Sequence, residues 1–356
     1  MDLQYRCRHF RGAIPCKPHK EQGVECSPSC PAKDLTDFNL LVIKLGAQGD
    51  VIRTTPILTR LRRDYPQGRI FWLTHYPDVL PEVVEHKLPF NLASMLWLKA
   101  LSFEVGINLD KDPEACALIE DLSIKQRYGF GLREGMPAPL NALAEHKFLT
   151  GISDHLSQEN QQHYLEEIFQ ICGWEYAGEE YLLPSPETNM VIEQFQPRGR
   201  LVGLNTGCGG RWTSRLWPEV YWERLVGYLK DQGYQVLLLG GPEEDNKNQR
   251  LSEKTGAHYL GVFPIREFMG LVNRCEAMVT AVTMALHFAI GLKIPVVLLN
   301  NIFNPHEFHF FTPAEILAPD KPCECYYRPT CRYERSCMWE LSPERVRDAV
   351  VKLLNQ

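Results

Sequence analysis

Apolar residues along this chain come in short dense runs, alternating with stretches of helical spacing and closed by Gly, Pro and Asn. Residues 38–45 read as a buried strand. A turn with Gly46 and Gly49 follows, then Asp50, then a helical pattern over 51–65. Two readings fit that helix. Thr55 caps it with Pro56 at its first position, or it starts at Asp50 and Pro56 kinks it. Residues 69–74 and 104–109 are further strands, and 155–172 has helical spacing through Tyr164, Ile168 and Ile171. Residues 184–200 are polar and rich in Pro, as a linker would be.

The alternation then restarts. Strands are predicted at 201–204, 234–239, 278–282 and 295–299. Helices are predicted at 218–231 (closed by Gly233), 243–253 and 285–290. An amphipathic helix at 342–354, with Ser342 as N-cap and Glu344 near its positive end, closes the chain. Strand–helix alternation at this pitch implies parallel sheets covered by helices. Two such runs imply two Rossmann-like lobes, at 37–185 and 200–320, with a cleft between them. The flanks, 1–36 and 321–356, are cysteine-rich and are expected as an extension and a tail.

Composition narrows the class. In 356 residues, 23% charged and 44% hydrophobic side chains imply a packed protein, and a net charge of −6 argues against broad nucleic-acid binding. The first residues lack a signal-peptide core. The most apolar stretch, 277–299, contains His287, Lys293 and Pro295, which suits a buried strand–helix–strand better than a membrane span. The expected location is the cytoplasm, with at most peripheral contact at the inner membrane face.

A carboxylate on a glycine turn at the carboxyl end of a parallel strand sits where open α/β sheets place their chemistry. Asp50 is therefore a candidate general base, although a loop Asp also serves as a helix cap. Lys44, Gly49 and Arg53 flank it as acceptor-side candidates. In the second half, residues 207–211 (GCGGR), with Gly209 at the centre, offer backbone N–H groups for phosphate, and Arg211 and Arg215 offer charge. Either arginine could equally be a solvated surface charge, Glu244 an ordinary helix-end acid, and His287 a satisfied core histidine. Trp212, Trp217 and Trp222 read as packing.

These motifs carry a resemblance. LVIKLGAQGDVIRTTPILTRLRRDYP, NTGCGGRWTSRLWPEVYWERL and LLLGGPEED are similar to segments of the bacterial glycosyltransferase family 9, typified by ADP-heptose:lipopolysaccharide heptosyltransferases. The resemblance runs from about residue 40 to 351. It implies a GT-B fold that transfers a sugar with inversion and uses no catalytic metal. The acceptor would lie on the first lobe and the nucleotide sugar on the second. Asp50 matches the family's base, Arg215 its basic residue near the diphosphate, and Glu244 its ribose-holding acid. Thr283 and His287 match a Thr and a His beside the donor. Where the family has Asp-Thr-Gly, this chain has Val282-Thr283-Met284. The segment 300–308 (NNIFNPHEF) supplies Asn300, Asn304, His306 and Glu307 as possible substitutes for the missing acid.

Eight of the twelve cysteines lie in the flanks. Cys7, Cys16, Cys26 and Cys30 could form a closed thiolate site for zinc or iron, with His9 or His19 as stand-ins. Cys323, Cys325, Cys331 and Cys337 could form a second, and tails of this kind occur in parts of the family. Ligands mixed between the clusters, or plain buried thiols, are the alternatives.

The expected activity is transfer of heptose from ADP-heptose to a cell-envelope glycolipid or glycan, with a protein acceptor as the alternative. A non-catalytic nucleotide- or metal-binding protein, and a metal-dependent regulator, are rivals from other classes.

Overall fold

The computed structural model describes residues 2–355. Residues up to Phe148, with Glu167–Glu179, form one compact unit; Leu149–Glu166 and the chain from Glu180 onward form the other.

The first unit holds a six-stranded sheet. Its strands are β1 (Phe38–Ile43), β2 (Gly68–Thr74), β3 (His86–Pro89), β4 (Ser102–Asn108), β5 (Ser123–Arg133) and β6 (Met136–Pro139), in the order β3-β2-β1-β4-β5-β6. All neighbours are parallel except β5 and β6, which pair antiparallel. The apolar runs are continuous because central strands covered on both faces have no solvent side. Leu40–Ile43 are all buried, and Leu41, Ile43, Phe71 and Leu73 pack in one cluster with Ile119.

The second unit holds five parallel strands: β7 (Leu201–Asn205), β8 (Gln235–Leu239), β9 (Ala277–Ala281), β10 (Val296–Leu299) and β11 (Ala314–Leu317), in the order β11-β10-β9-β7-β8. The closing helix Pro343–Leu354 packs Val346 and Val350 onto the same core as Val202, Val236 and Val279. Ser342 caps it as expected, its hydroxyl accepting from Arg345 N–H.

In each sheet the chain reverses direction once, between β1 and β4 and between β7 and β9. The carboxyl-end loops at such switch points form a crevice for ligands. Lys44, Gly49, Asp50 and Arg53 follow β1, Gly209, Arg211 and Arg215 follow β7, and Thr283 and His287 follow β9, while Glu244 follows β8 and Asn304 and Glu307 follow β10.

Local differences from the sequence expectations have physical causes. The helix expected at 155–172 is broken into Asp154–Glu159 and Tyr164–Ile171. Asn160 Oδ1 accepts from Gln162 N–H, and Glu166 caps the restart through His163 N–H. The same segment explains why 149–166 belongs with the second unit rather than with the 37–185 lobe. Asn304 Nδ2 donates to the carbonyls of Ser157 and Asn160, each at 2.7 Å. The supposed linker contains a short helix, Met190–Gln194, capped by Asn189. The helix over 51–65 begins earlier, at Gln48, and breaks at Thr55-Pro56 into Gln48–Thr54 and Ile57–Asp64.

Candidate functional site

In the first unit the candidate acid is tied down locally. Asp50 is the third residue of its helix. One carboxylate oxygen accepts from Ala47 N–H at 3.1 Å and the other pairs with Arg53 at 2.8 Å, with about a third of the side chain exposed. The capping role weighed against catalysis is thus present. Gly49, the second residue of that helix, is buried.

Lys44 lies just after the end of β1. It forms a buried ion pair with Asp110, which also accepts from Leu45 N–H. Asp110 follows β4, so the pair ties the loops after β1 and β4 together at the switch point. Beside it, Lys111 lies 5.7 Å over the Phe130 ring and 5.9 Å over that of Phe148. Burial, aided by Lys147, brings its ammonium down to about 8. Neither Asp110 nor Lys111 stood out in the sequence, because both sit in a charged loop, 110–114 (DKDPE), without a motif.

In the second unit the loop after β7 packs against the helix after β8. A side chain at Gly207 would displace Glu244, since a Cβ would lie 1.9 Å from Glu244 Oε1. Gly209 has φ +72, a left-handed conformation that glycine adopts without strain. Glu244 is buried and accepts from Gly241 N–H at 2.9 Å. One helical step on, Lys247 donates to Thr206 O at 2.8 Å, and burial lowers its pKa. Lys247 thus puts a cation under the glycine loop. Its only sequence signal was the i, i+3 spacing from Glu244.

Arg215 is not a solvated charge. It is buried, with its guanidinium carbon 5.4 Å from the ring centres of both Trp212 and Phe303. It donates to the backbone oxygens of Val282 and Cys208, locking the glycine loop to the loop after β9. Arg211 is exposed and lies over Trp212. Trp217 and Trp222 belong to the core, so the packing reading holds for them. Thr283 holds the N-cap position of the helix Met284–Gly291 without a side-chain capping bond, and its hydroxyl joins Asn205 and Thr280 at 3.3 and 3.1 Å. His287 is buried on that helix, 6.1 Å from the Tyr181 ring.

The 300–308 segment divides. Asn304 spends its amide on the Ser157 and Asn160 carbonyls and its oxygen on His306 N–H, which makes it a loop fastener. Glu307 accepts from Tyr327 OH at 3.1 Å. Asn300 is buried, and its Oδ1 has no hydrogen-bond partner.

A family model described as glycosyltransferase family 9 (heptosyltransferase) matches residues 97–319. This chain belongs to glycosyltransferase family 9. Lipopolysaccharide heptosyltransferase 1 of Escherichia coli is 24% identical over 268 residues, covering 66% of this chain and 78% of the relative. The ADP-heptose LPS heptosyltransferase II of E. coli superposes with a TM-score of 0.64 at 18% identity, over 89% of this chain and 99% of that one. The iron-containing dodecameric glycosyltransferase TibC of enterotoxigenic E. coli superposes at 0.55 with 16% identity, over 94% and 81%. This family 9 protein is a glycosyltransferase with the GT-B fold, built on one wholly parallel sheet and one that is parallel except at β5–β6. Among the described residues, no helix is long and apolar enough to cross a membrane.

All twelve cysteines are free thiols. Among the described residues no three His, Cys, Asp or Glu side chains already meet as a metal site. In the tail, Cys323, Cys325, Cys331 and Cys337 nevertheless line one cavity, and the Cys325 and Cys331 sulfurs are 3.8 Å apart. Burial pushes Cys323 up to about 12.

Proposed function

We propose that this family 9 enzyme moves heptose from ADP-heptose to a hydroxyl of a cell-envelope glycan or glycolipid, with inversion and without a catalytic metal. Asp50 carries the reading. The acceptor oxygen attacks the anomeric carbon and passes its proton to the Asp50 carboxylate. The bond to the diphosphate breaks, and the nucleotide leaves with the electron pair. Arg53 and Ala47 N–H orient the carboxylate for this step.

Charge developing on the leaving diphosphate needs fixed positive partners. The N–H groups around Gly209, with Arg211 and Lys247, supply them. Arg215 holds the loop in shape, and Glu244 receives the ribose. Thr283 and His287 lie beside the sugar in this reading. The two relatives named as heptosyltransferases of lipopolysaccharide favour that donor and that acceptor class. Work in the cytoplasm, at the inner membrane face, is the matching location.

A protein acceptor is the second reading, favoured by the cysteine tail together with the iron-containing relative. The tail residues fit such an ion. With metal–sulfur bonds of about 2.3 Å, sulfurs at the corners of a tetrahedron lie about 3.8 Å apart, the separation of Cys325 and Cys331. Cys323, Cys325, Cys331 and Cys337 would hold zinc or iron as a structural cross-link.

The test is transfer by purified protein from ADP-heptose to a heptose-free lipopolysaccharide core and to a protein. Release of ADP that depends on an acceptor, and that is lost in Asp50→Asn, is the expected result. No turnover with any acceptor would end the reading.

A further inference from the structure

The first 36 residues make almost no core. Cys7, Pro18 and Thr36 are the buried side chains among residues 2–36, and the one helix there is the six-residue Lys17–Gln22. Their chief anchor is Arg8. It reaches Asp34 at 2.8 Å, the buried Glu85 at 2.5 Å, and the carbonyls of Pro66 and Gly68 at the start of β2. A segment of this length with so little apolar interior is ordinarily fastened by disulfides or a metal.

None of its four cysteines is in a disulfide. Cys7, Cys16, Cys26 and Cys30 instead all line one cavity of about 20 Å³, with His9 and Gln4. That volume suits a single occupant of ion or water size. The four arrive from separate places. Cys7 is in a bridge with Leu35, and Cys16 precedes the Lys17–Gln22 helix. Cys26 and Cys30 lie on the loop after it, and Gln4 N–H already donates to Cys26 Sγ at 3.4 Å. As they stand, no three of the thiols meet at ligating distance.

We propose that Cys7, Cys16, Cys26 and Cys30 close around one thiophilic first-row cation, zinc or iron, in a tetrahedral four-sulfur site separate from the tail. On binding, each thiol releases its proton to solvent and forms one metal–sulfur bond, with no change of oxidation state. The ion staples the extension onto itself. Through Cys7 it also fixes the neighbouring Arg8 against Glu85 and the start of β2.

The test uses the full-length protein, purified under reducing conditions, with metal content measured by mass spectrometry. In a Cys323→Ser/Cys325→Ser background, which removes any tail site, one equivalent of zinc or iron should remain. Adding Cys26→Ser/Cys30→Ser should remove it. Cys16→Ala should also lose the ion, while Cys16→His, which restores a ligand, should keep it. Stripping the tail variant with a chelator should expose Arg8 and Arg11 to trypsin while the rest of the chain stays resistant. The element found by mass spectrometry tells iron from zinc. The proposal is overturned if the tail variant carries no metal, or if its metal content is unchanged by Cys26→Ser/Cys30→Ser. Neither result bears on sugar transfer, which is read separately.

Discussion

Lys44 and Asp110 form an ion pair in the first unit, with their side chains only 7% and 8% exposed, and the same carboxylate receives Leu45 N–H. Removing one partner strands a buried charge, which costs about 3–5 kcal/mol. Lys44→Met should therefore lower stability by that amount in urea unfolding. Lys44→Met/Asp110→Leu should recover only part of it, because Leu45 N–H then loses its acceptor. A loss below about 1 kcal/mol in the single variant would mean that the pair is solvated, as surface pairs are.

Asp50→Asn keeps an oxygen for Ala47 N–H and removes the base. We expect kcat to fall by about 10²–10⁴ while KM for the donor stays within about threefold, with an unchanged melting curve. Full activity in this variant would assign Asp50 to capping alone.

Lys247→Met tests the cation under the glycine loop. Loss of a charge-assisted contact to the diphosphate should weaken ADP binding by roughly tenfold to a hundredfold in calorimetry. Gly207→Ala should act on the same loop through sterics, because its Cβ would fall 1.9 Å from Glu244 Oε1. Unaltered ADP affinity in both variants would place the nucleotide elsewhere.

His86 gives the first unit an acid-sensitive element. It stacks on Phe71 at 4.2 Å, its Nε2 has no hydrogen-bond partner, and burial with Arg11 and Arg69 nearby lowers its pKa to about 4. The unfolded chain takes up this proton near pH 6.5 and the folded one only near 4, so the unfolded state gains as pH falls between those values. Stability should drop by roughly 1–2 kcal/mol over that window, allowing for partial solvent screening. His86→Phe should flatten that part of the pH–melting profile.

Much of the fold was legible because parallel strands buried on both faces leave uninterrupted apolar runs. The strands near 38–45, 69–74, 201–204 and 295–299 all formed within a residue or two of expectation. The short strands β3, β6 and β11 were not legible. Four residues at a sheet edge leave too little pattern, and Pro89, Pro137 and Pro139 disguise two of them. The candidate site divides similarly. The glycine loop and Glu244 carried local signals. The fastening role of Asn304 did not, since its partners lie in the segment after Ser153.

By itself, the sequence determined the α/β class, the two sheets, the family, and the loops where chemistry belongs. Each of these follows from patterns spanning only a few neighbouring residues. Only the tertiary structure decided which charges are spent on the fold. Lys44 meets an acid 66 positions away, and Arg215 reaches a carbonyl 67 positions away. Such pairings depend on strand order and on burial that removes competing water, and neither is encoded at the site of the charge itself.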